Sequence, residues 1–211
     1  MKNLTTGTTG TTASTRGRLN RSNIVESALA IVRAEGLGAV TMRRVATDLG
    51  AGAMSLYRHV TDRDDLLVGM MDQVAVGIEP PTEQMDDCEE IVAILMTLHH
   101  AFRQDPWIVH VLLFEGRGSL KIFPLIDRLF AALLRSGCTQ EQALDHYGLL
   151  MHYAYGESLS FQTKDQRRMM QSAWSDDALA EFPAIMAVRE EARTWAHDEF
   201  GRNIRRLVAN I

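Results

Sequence analysis

Apolar residues recur along this chain at the spacing of α-helices, and no stretch alternates apolar and polar residues as a strand would. The clearest run places apolar side chains at helical intervals at Met42, Val45, Ala46 and Leu49. Thr41 stands at the N-cap position of this helix, and Gly50 stands at its end, where a left-handed residue is common. Val40 and Val45 occupy the two positions of a hydrophobic staple. The pattern therefore predicts a short helix that is capped at both ends.

A tight turn and two more helices are predicted directly after this helix. Ala51-Gly52 forms the corner, and the next helix, Ala53 to about His59, is too short to be stable unless it packs on its neighbours. Thr61 is expected to cap a third helix, which runs from Asp62 to about Ile78. A helix, a turn containing glycine and a short helix are typical of a helix-turn-helix, whose second helix enters the major groove of DNA.

These residues resemble the DNA-binding domain of the tetracycline-repressor (TetR) family. The resemblance is carried by Thr41, Arg43, Val45-Ala46, Leu49-Gly50, the run Ser55–Val60, Arg63 and Leu66-Leu67. It extends from about Leu19 to Leu67 with the family's spacing and no gap. Ala51 and Gly52 stand where the family often has Val and Ser, and Arg63 stands where Lys is usual. Neither departure breaks the geometry, because Gly is an acceptable cap and Arg still offers a cation.

The resemblance implies an all-α chain with two domains. Residues 1–17, rich in Thr, Gly and Ser, have almost nothing to bury and are predicted to form a disordered tail. Residues 18–67 are the expected three-helix helix-turn-helix DNA-binding domain. A linking helix joins it to residues 68–211, the expected helical-bundle domain for ligand binding and dimerisation. Family members are usually repressors, so we expect a repressor that a small, partly apolar molecule releases from its operator.

The family's DNA contacts can be transferred residue by residue to this chain. Thr41, Ser55, Tyr57, His59 and Arg63 match positions that contact phosphates, Arg43 matches one that reaches a guanine, and Arg44 and Arg58 could add phosphate contacts. Ala53 and Met54 face the bases in the recognition helix, and as apolar residues they could only touch thymine methyl groups or read shape. Three tail-end arginines, Arg16, Arg18 and Arg21, either contact DNA as an arm or belong to a solubilising tail.

The second half of the chain is predicted to be entirely helical behind a linker at residues 79–88. Predicted helices cover Glu89–Gln104, Pro106–Glu115, Leu120–Ser136, Thr139–Gln162, Glu181–Ala192 and Trp195–Ile211, with a weaker helix near Lys164–Asp177. Aromatic side chains with a few polar tips suit a small-molecule pocket between bundle helices. The candidate ligand-binding residues are Met96, His99, Phe102, Trp107, His110, Phe114, Phe123, Tyr147, Met151, Tyr155 and Trp174.

A homodimer is expected, because one recognition helix covers too few base pairs for useful specificity. The long helix Thr139–Gln162 and the last helix Trp195–Ile211 are predicted to form a four-helix bundle across a two-fold axis. Two glycines eight residues apart on the long helix would let the backbones approach closely. The candidate dimer residues are Gly148, His152, Gly156, Phe200, Ile204 and Leu207.

The charge of the chain is unevenly distributed. The net charge is −5, yet residues 1–60 contain eight Lys and Arg against three Asp and Glu. A basic front and an acidic rear would orient the helix-turn-helix towards a phosphate backbone. No secretory signal or membrane span is recognisable, and Cys88 and Cys138 are expected to be reduced thiols, so we expect a cytoplasmic protein.

Catalytic and metal-binding motifs are not found in the sequence. His99 and His100 are adjacent on a predicted helix, and His146 and His152 are six residues apart, so neither pair can share a metal as an i, i+4 pair would. We therefore expect no enzyme, no metal and no cofactor. Two alternatives remain: a protein of this fold that activates transcription or acts without a ligand, and an all-helical enzyme or sequestration protein that has kept the fold.

Overall fold

The computed structural model describes residues 19–161, 179–194 and 200–211, and these ranges are helical with no strand. This confirms the all-α fold class. The predictions for the tail 1–17, for the weak helix near Lys164–Asp177 and for Trp174 lie outside the described residues. No helix in the described ranges has both the length and the apolar character needed to cross a membrane.

Four helices build the N-terminal half. They are α1 (Arg21–Glu35), α2 (Met42–Asp48), α3 (Ala53–Leu56) and α4 (Arg63–Val76), with a short 3-10 helix at Leu37–Ala39 between the first two. α1 packs on α2 and α4, and α2 packs on α3. The side chains of Ile24, Ala28, Val45, Leu56 and Leu66 are almost completely buried between them. The helix-turn-helix predicted from the spacing of apolar residues is therefore present.

The ends of these helices confirm one predicted cap and correct two predicted boundaries. The Thr41 hydroxyl accepts a hydrogen bond from the amide of Arg44 over 3.1 Å, as a capping threonine should. Asp62, not Thr61, caps α4, because its carboxylate accepts from the amide of Asp65 over 2.8 Å. α3 ends at Leu56, three residues before the predicted His59, and the next residues form a turn.

The C-terminal half surrounds a central helix. Its helices are α5 (Asp87–Gln104), α6 (Trp107–His110), α7 (Phe123–Arg135), α8 (Gln140–Phe161), α9 (Pro183–Thr194) and α10 (Phe200–Val208). A π-helical turn, Val111–Glu115, extends α6, and a 3-10 turn, Leu120–Ile122, leads into α7. α5 packs against α7, α8 and α10. The predicted capping box of α8 is confirmed, since Thr139 and Gln142 bond to each other's amides over 2.9 and 3.2 Å.

An ionic network ties the start of α5 to α7. Glu90 accepts from Arg128 and Arg135, each over 2.5 Å, and these contacts, that with Arg128 first, lower the pKa of the Glu90 carboxyl. Arg128 also donates to the carbonyl oxygen of Pro81 over 2.8 Å. The connection between α4 and α5 is therefore fastened to the bundle.

The buried apolar residues of the two halves form one continuous core. α4 crosses the predicted domain boundary after Leu67, since it continues to Val76. Leu66 and Leu67 are fully buried in the N-terminal half, and Met71, one helical turn further along, reaches the second half. α4 is therefore a structural part of both halves.

Candidate DNA interface and ligand cavity

The turn and helix α3 present a surface of exposed side chains that differ in chemistry. Arg43, Met54, Tyr57, Arg58 and His59 are exposed, whereas Ala53 and Ser55 are half-buried. Met54 is 78% exposed. A large apolar side chain held in water on a short helix is a candidate contact to a partner. This surface combines cations, hydroxyls and apolar groups in the way that groove and backbone contacts require.

Two arginines predicted to bind phosphates are paired with carboxylates instead. Arg44 donates to Glu35 over 2.6 Å and reaches Asp48 at 3.5 Å. Arg63 donates to Glu115, a residue of the other half, over 2.6 and 3.2 Å. Sequence reasoning left both cations free for DNA, and the structure shows that each has an internal partner.

Arg21 is also paired, which bears on its proposed role in an N-terminal arm. Its guanidinium donates to both carboxylate oxygens of Asp65 over 2.6 and 2.9 Å and to the carbonyl oxygen of His59 over 3.2 Å. The bonds from Arg21 are the main reason why the pKa of Asp65 is lowered to about 2. Arg21 therefore links α1 to the start of α4. Arg16 and Arg18 lie outside the described residues.

Arg43 and Arg58 differ from the other basic residues of the motif. Within the part of the chain that the structure describes, no hydrogen bond or ion pair involves either guanidinium. Both side chains are exposed. They are therefore the cations of the motif that are available to DNA without first breaking an internal contact.

A large cavity of about 980 Å³ lies between α4 and the helical bundle. α4 contributes Met71, Val74 and Ala75, and Ile78 follows it. The remaining wall comes from α5, α6, the π-helical turn and the connection after it, α7 and α8: Leu98, Ala101, Phe102, Ile108, Leu112, Gly118, Ser119, Leu120, Ile122, Phe123, Pro124, Ile126, Asp127, Phe130, Tyr147, Met151 and Tyr155. The volume is at the upper end of the range typical of small-molecule sites.

Two phenols, Tyr147 and Tyr155, lie in a mostly apolar wall that also includes Ser119 and Asp127. Burial raises the pKa of Tyr147, and it raises the pKa of Tyr155 to about 12. Both groups therefore stay protonated at neutral pH and can donate a hydrogen bond. Their rings pack against Phe130 and Phe102, with centroids 4.8 and 5.4 Å apart. The cavity suits a largely apolar molecule that carries hydrogen-bond acceptors.

The predicted ligand-binding residues divide into those at the cavity and those away from it. Phe102, Phe123, Tyr147, Met151 and Tyr155 line it. Met96, His99, Trp107, His110 and Phe114 do not line this cavity, and their role in ligand binding stays a prediction. Met96 projects from α5 on the side of the helix opposite Leu98 and Phe102. His99 stacks on Phe200, with ring centroids 3.8 Å apart. Trp107 is buried and donates to Asp105 over 3.0 Å, and His110 and Phe114 are exposed neighbours.

Several cavity residues were not anticipated from the sequence. Gly118, Ser119, Leu120 and Ile122 belong to a connection with no regular apolar period. Periodicity finds residues on the faces of helices, so it cannot place a loop against a cavity. The contribution of Ile78 could have been suspected, because the apolar pattern of the linking helix extends to it.

Some of the predicted dimer residues lie at the surface of the protomer, and others are buried inside it. Gly148, His152 and Gly156 lie on one stripe of α8, where His152 and Gly156 are exposed, and a Cβ on either glycine would meet nothing within 4 Å. Phe200 and Ile204 are buried inside the protomer against α5 and α8, so the structure corrects their assignment to a dimer surface. Leu207 is partly buried.

No group of three or more His, Cys, Asp or Glu residues that could hold a metal ion occurs among the described residues. Cys88 and Cys138 are free thiols.

The chain is similar to known transcriptional regulators. No family model matches the chain. The HTH-type transcriptional repressor DrrR1 of Streptomyces coeruleorubidus is 26% identical over 208 residues, which cover 92% of this chain and 77% of that protein. The crystal structure of the TetR family protein ActR of Streptomyces coelicolor in complex with actinorhodin has a TM-score of 0.77 at 24% identity and covers 92% of this chain and 95% of its own. BioQ with its double-stranded DNA operator has a TM-score of 0.62 at 21% identity, covering 72% and 93%.

The fold and the helix-turn-helix surface define a DNA-binding transcriptional regulator. More narrowly, the chain has the fold of TetR family proteins, as its similarity to the structure of ActR shows.

Proposed function

We propose that this protein is a ligand-responsive transcriptional repressor that a small, partly apolar molecule releases from operator DNA. The observation that carries the proposal is the double role of α4. Leu66 and Leu67 belong to the core behind the helix-turn-helix, whereas Met71 and Val74 line the cavity. A molecule that fills the cavity therefore touches the helix that supports the DNA-binding surface.

The proposed DNA partner is a double-stranded, approximately palindromic operator bound by a homodimer. Two recognition helices on one face of DNA must lie about 34–36 Å apart, which requires a second protomer. The stripe of Gly148, His152 and Gly156 on α8, in which the last two are exposed, and the exposed Leu144 and Leu149 support α8 as the dimer surface. Exposed leucines on a helix that has small residues along one stripe suit close helix packing across a two-fold axis.

The proposed ligand is a large, mainly apolar molecule with hydrogen-bond acceptors. ActR, which has the same fold, was crystallised with actinorhodin and with (S)-DNPA. In this chain the walls of the cavity are mostly apolar, and the phenols of Tyr147 and Tyr155 are donors that an acceptor group would meet. These two compounds are therefore suitable first probes.

We propose a regulatory and not a catalytic role. The relatives that match the chain are transcriptional regulators. A regulator of this kind works on chromosomal DNA, so the cytoplasm is the compartment that we propose.

Selection of binding sites from a random DNA pool by the full-length protein tests the proposal. We expect recovery of one approximately palindromic duplex. Actinorhodin or (S)-DNPA should then weaken binding to that duplex, and by linkage the saturating duplex should weaken binding of the compound by the same factor. Recovery of no preferred sequence would refute a role as a specific regulator. Tight binding of a probe with equal affinity for the free protein and the DNA complex would refute release by that compound.

A further inference from the structure

Arg63 and Glu115 connect the DNA-binding half of the chain to the segment beside the cavity. Nη1 and Nη2 of Arg63 donate to the two carboxylate oxygens of Glu115 over 2.6 and 3.2 Å, and Nε of Arg63 donates to the carbonyl oxygen of Val40 over 3.3 Å. A two-pronged pair of this kind fixes the plane of the guanidinium as well as its position. The two side chains are 37% and 27% exposed, so the pair lies at the surface of the protein.

The same guanidinium occupies the position that the family resemblance directs at a DNA phosphate. Carboxylate and phosphate oxygens bind the same donor edges of a guanidinium, so they exclude one another there. Glu115 also compensates the positive charge that would attract the DNA backbone. We infer that Glu115 is an intramolecular competitor of the operator phosphate at Arg63. Arg63 stays in this intramolecular ion pair until the segment that carries Glu115 moves away.

The residues after Glu115 bind the same helix. Arg117 donates to Asp64 over 3.1 and 2.5 Å, and Ser119 donates to Asp72 over 2.5 Å. Gly116, with a φ of 61°, turns the chain out of the π-helical turn. Alternate residues of the segment 115–119 therefore contact α4, and we call this segment the α4 strap.

The α4 strap also forms part of the cavity wall. Gly118 and Ser119 line the cavity, as does Leu120, which follows the strap. A molecule in the cavity therefore touches the same short segment that holds Arg63. A ligand that keeps the strap against α4 leaves Glu115 on Arg63 and lowers DNA affinity. The competition is thus a direct route from the cavity to the DNA backbone.

This inference rests on the DNA binding proposed above, and a double-mutant cycle tests it separately. The duplex selected by the wild-type protein is titrated with wild type, Glu115→Gln, Arg63→Ala and the double variant, all as full-length protein without ligand. Glu26→Gln, made in both the wild-type and the Arg63→Ala backgrounds, is the matched control. Glu26 is an exposed residue of α1, so its loss removes an equal charge away from Arg63.

Glu115→Gln should raise the association constant about three- to tenfold where Arg63 is present, since a half-exposed ion pair is a modest competitor. It should change the constant less than twofold in the Arg63→Ala background. Glu26→Gln should change the association constant by the same factor in the wild-type and Arg63→Ala backgrounds. Thermal melting checks that each variant folds, and if Glu115→Gln melts early, Glu115→Asp replaces it with the same expected dependence on Arg63.

Two results would overturn the inference. Equal gains from Glu115→Gln with and without Arg63 would mean that the carboxylate acts only through long-range repulsion. A loss of affinity in a folded Glu115→Gln would mean that Glu115 positions Arg63 for DNA. Both results require normal binding by the wild type, so they leave the proposed function intact. If the wild type selects no duplex, the proposed function fails, and this inference fails with it.

Discussion

The guanidinium of Arg33 is bonded through two nitrogens to the carboxylate of Asp105, over 2.8 and 2.7 Å. This pair ties α1 of the DNA-binding half to the corner between α5 and α6. Asp105 is only 2% exposed, and its Oδ1 also accepts from the indole of Trp107 over 3.0 Å. This buried carboxylate is therefore one of the contacts that hold the two halves of the chain together.

Asp105→Ala should destabilise the protein by about 2–3 kcal/mol, because it leaves the buried Trp107 donor without an acceptor and removes the partner of Arg33. Arg33→Gln should cost less, about 1–2 kcal/mol, since the buried carboxylate loses its cation but keeps the hydrogen bond from Trp107. Urea unfolding of both variants at neutral pH checks the order. Equal losses of stability in the two variants would mean that Asp105 stabilises the fold mainly through its ion pair with Arg33 and not through its hydrogen bond with Trp107.

The pair of Arg21 and Asp65 predicts a specific acid sensitivity. The folded pKa of Asp65 lies at about 2, below its usual value near 4. A lowered carboxyl pKa stabilises the fold at pH values above the usual one and loses that stability as pH falls towards 2. After allowance for solvent screening, the contribution is about 1 kcal/mol. Asp65→Asn should lower stability at pH 6 and have a smaller effect at pH 2.5, as measured by urea midpoints. An equal loss of stability in Asp65→Asn at pH 6 and at pH 2.5 would contradict this prediction.

Arg43 and Arg58 should differ in what they contribute to DNA binding. Arg43→Ala should relax the preference at one base pair of each half-site, costing about 1–3 kcal/mol there. Arg58→Ala should weaken binding to all sequences and reduce the salt dependence, by a slope of about 0.9 for each phosphate that the protein no longer neutralises. Selected binding-site logos and salt titrations measure the two effects. An unchanged logo for Arg43→Ala would rule out base reading by this residue.

Tyr155→Phe should weaken ligand binding without changing the shape of the cavity. The loss of one buried hydrogen bond corresponds to about 0.5–1.5 kcal/mol, or roughly two- to tenfold in the dissociation constant of actinorhodin. Tyr153→Phe is the matched control, because this phenol accepts from Asn203 over 3.0 Å and does not line the cavity. Isothermal titration of both variants should separate them, and equal effects would argue against a specific role for Tyr155.

Gly156→Leu should convert the proposed dimer into monomers. Within the protomer a Cβ at Gly156 meets nothing within 4 Å, so the start of a side chain is accommodated there, and a second copy is the expected source of a clash. Gly38→Leu adds the same side chain at another open glycine, outside α8, and should leave the assembly unchanged. Sedimentation velocity distinguishes these outcomes. A dimer that persists in Gly156→Leu would place the interface elsewhere.

Local sequence signals predicted the helices of the N-terminal half more directly than the contacts between residues that are far apart in sequence. Thr41 and the apolar spacing of α2 act within a few residues, so the cap and the helix could be read directly. The pairing of Arg63 with Glu115 joins residues 52 positions apart, and no local pattern contains that information. Aromatic identity alone does not show which face of a helix meets the cavity, so the candidate set contains both Phe102, which lines it, and Phe114, which does not.

The sharing of α4 also limits how the protein can be divided or recombined. A chimera that joins the DNA-binding half of this chain to another sensor after Leu67 would cut α4 one turn before Met71. Such a chimera would combine one protein's buried face with another's cavity wall. A junction in the connection between α4 and α5 keeps Arg63–Val76 intact, but the new sensor must then accept this helix in its own wall. The DNA-binding half and the ligand-binding half can therefore be exchanged between proteins only if the surface between α4 and the bundle is exchanged with them.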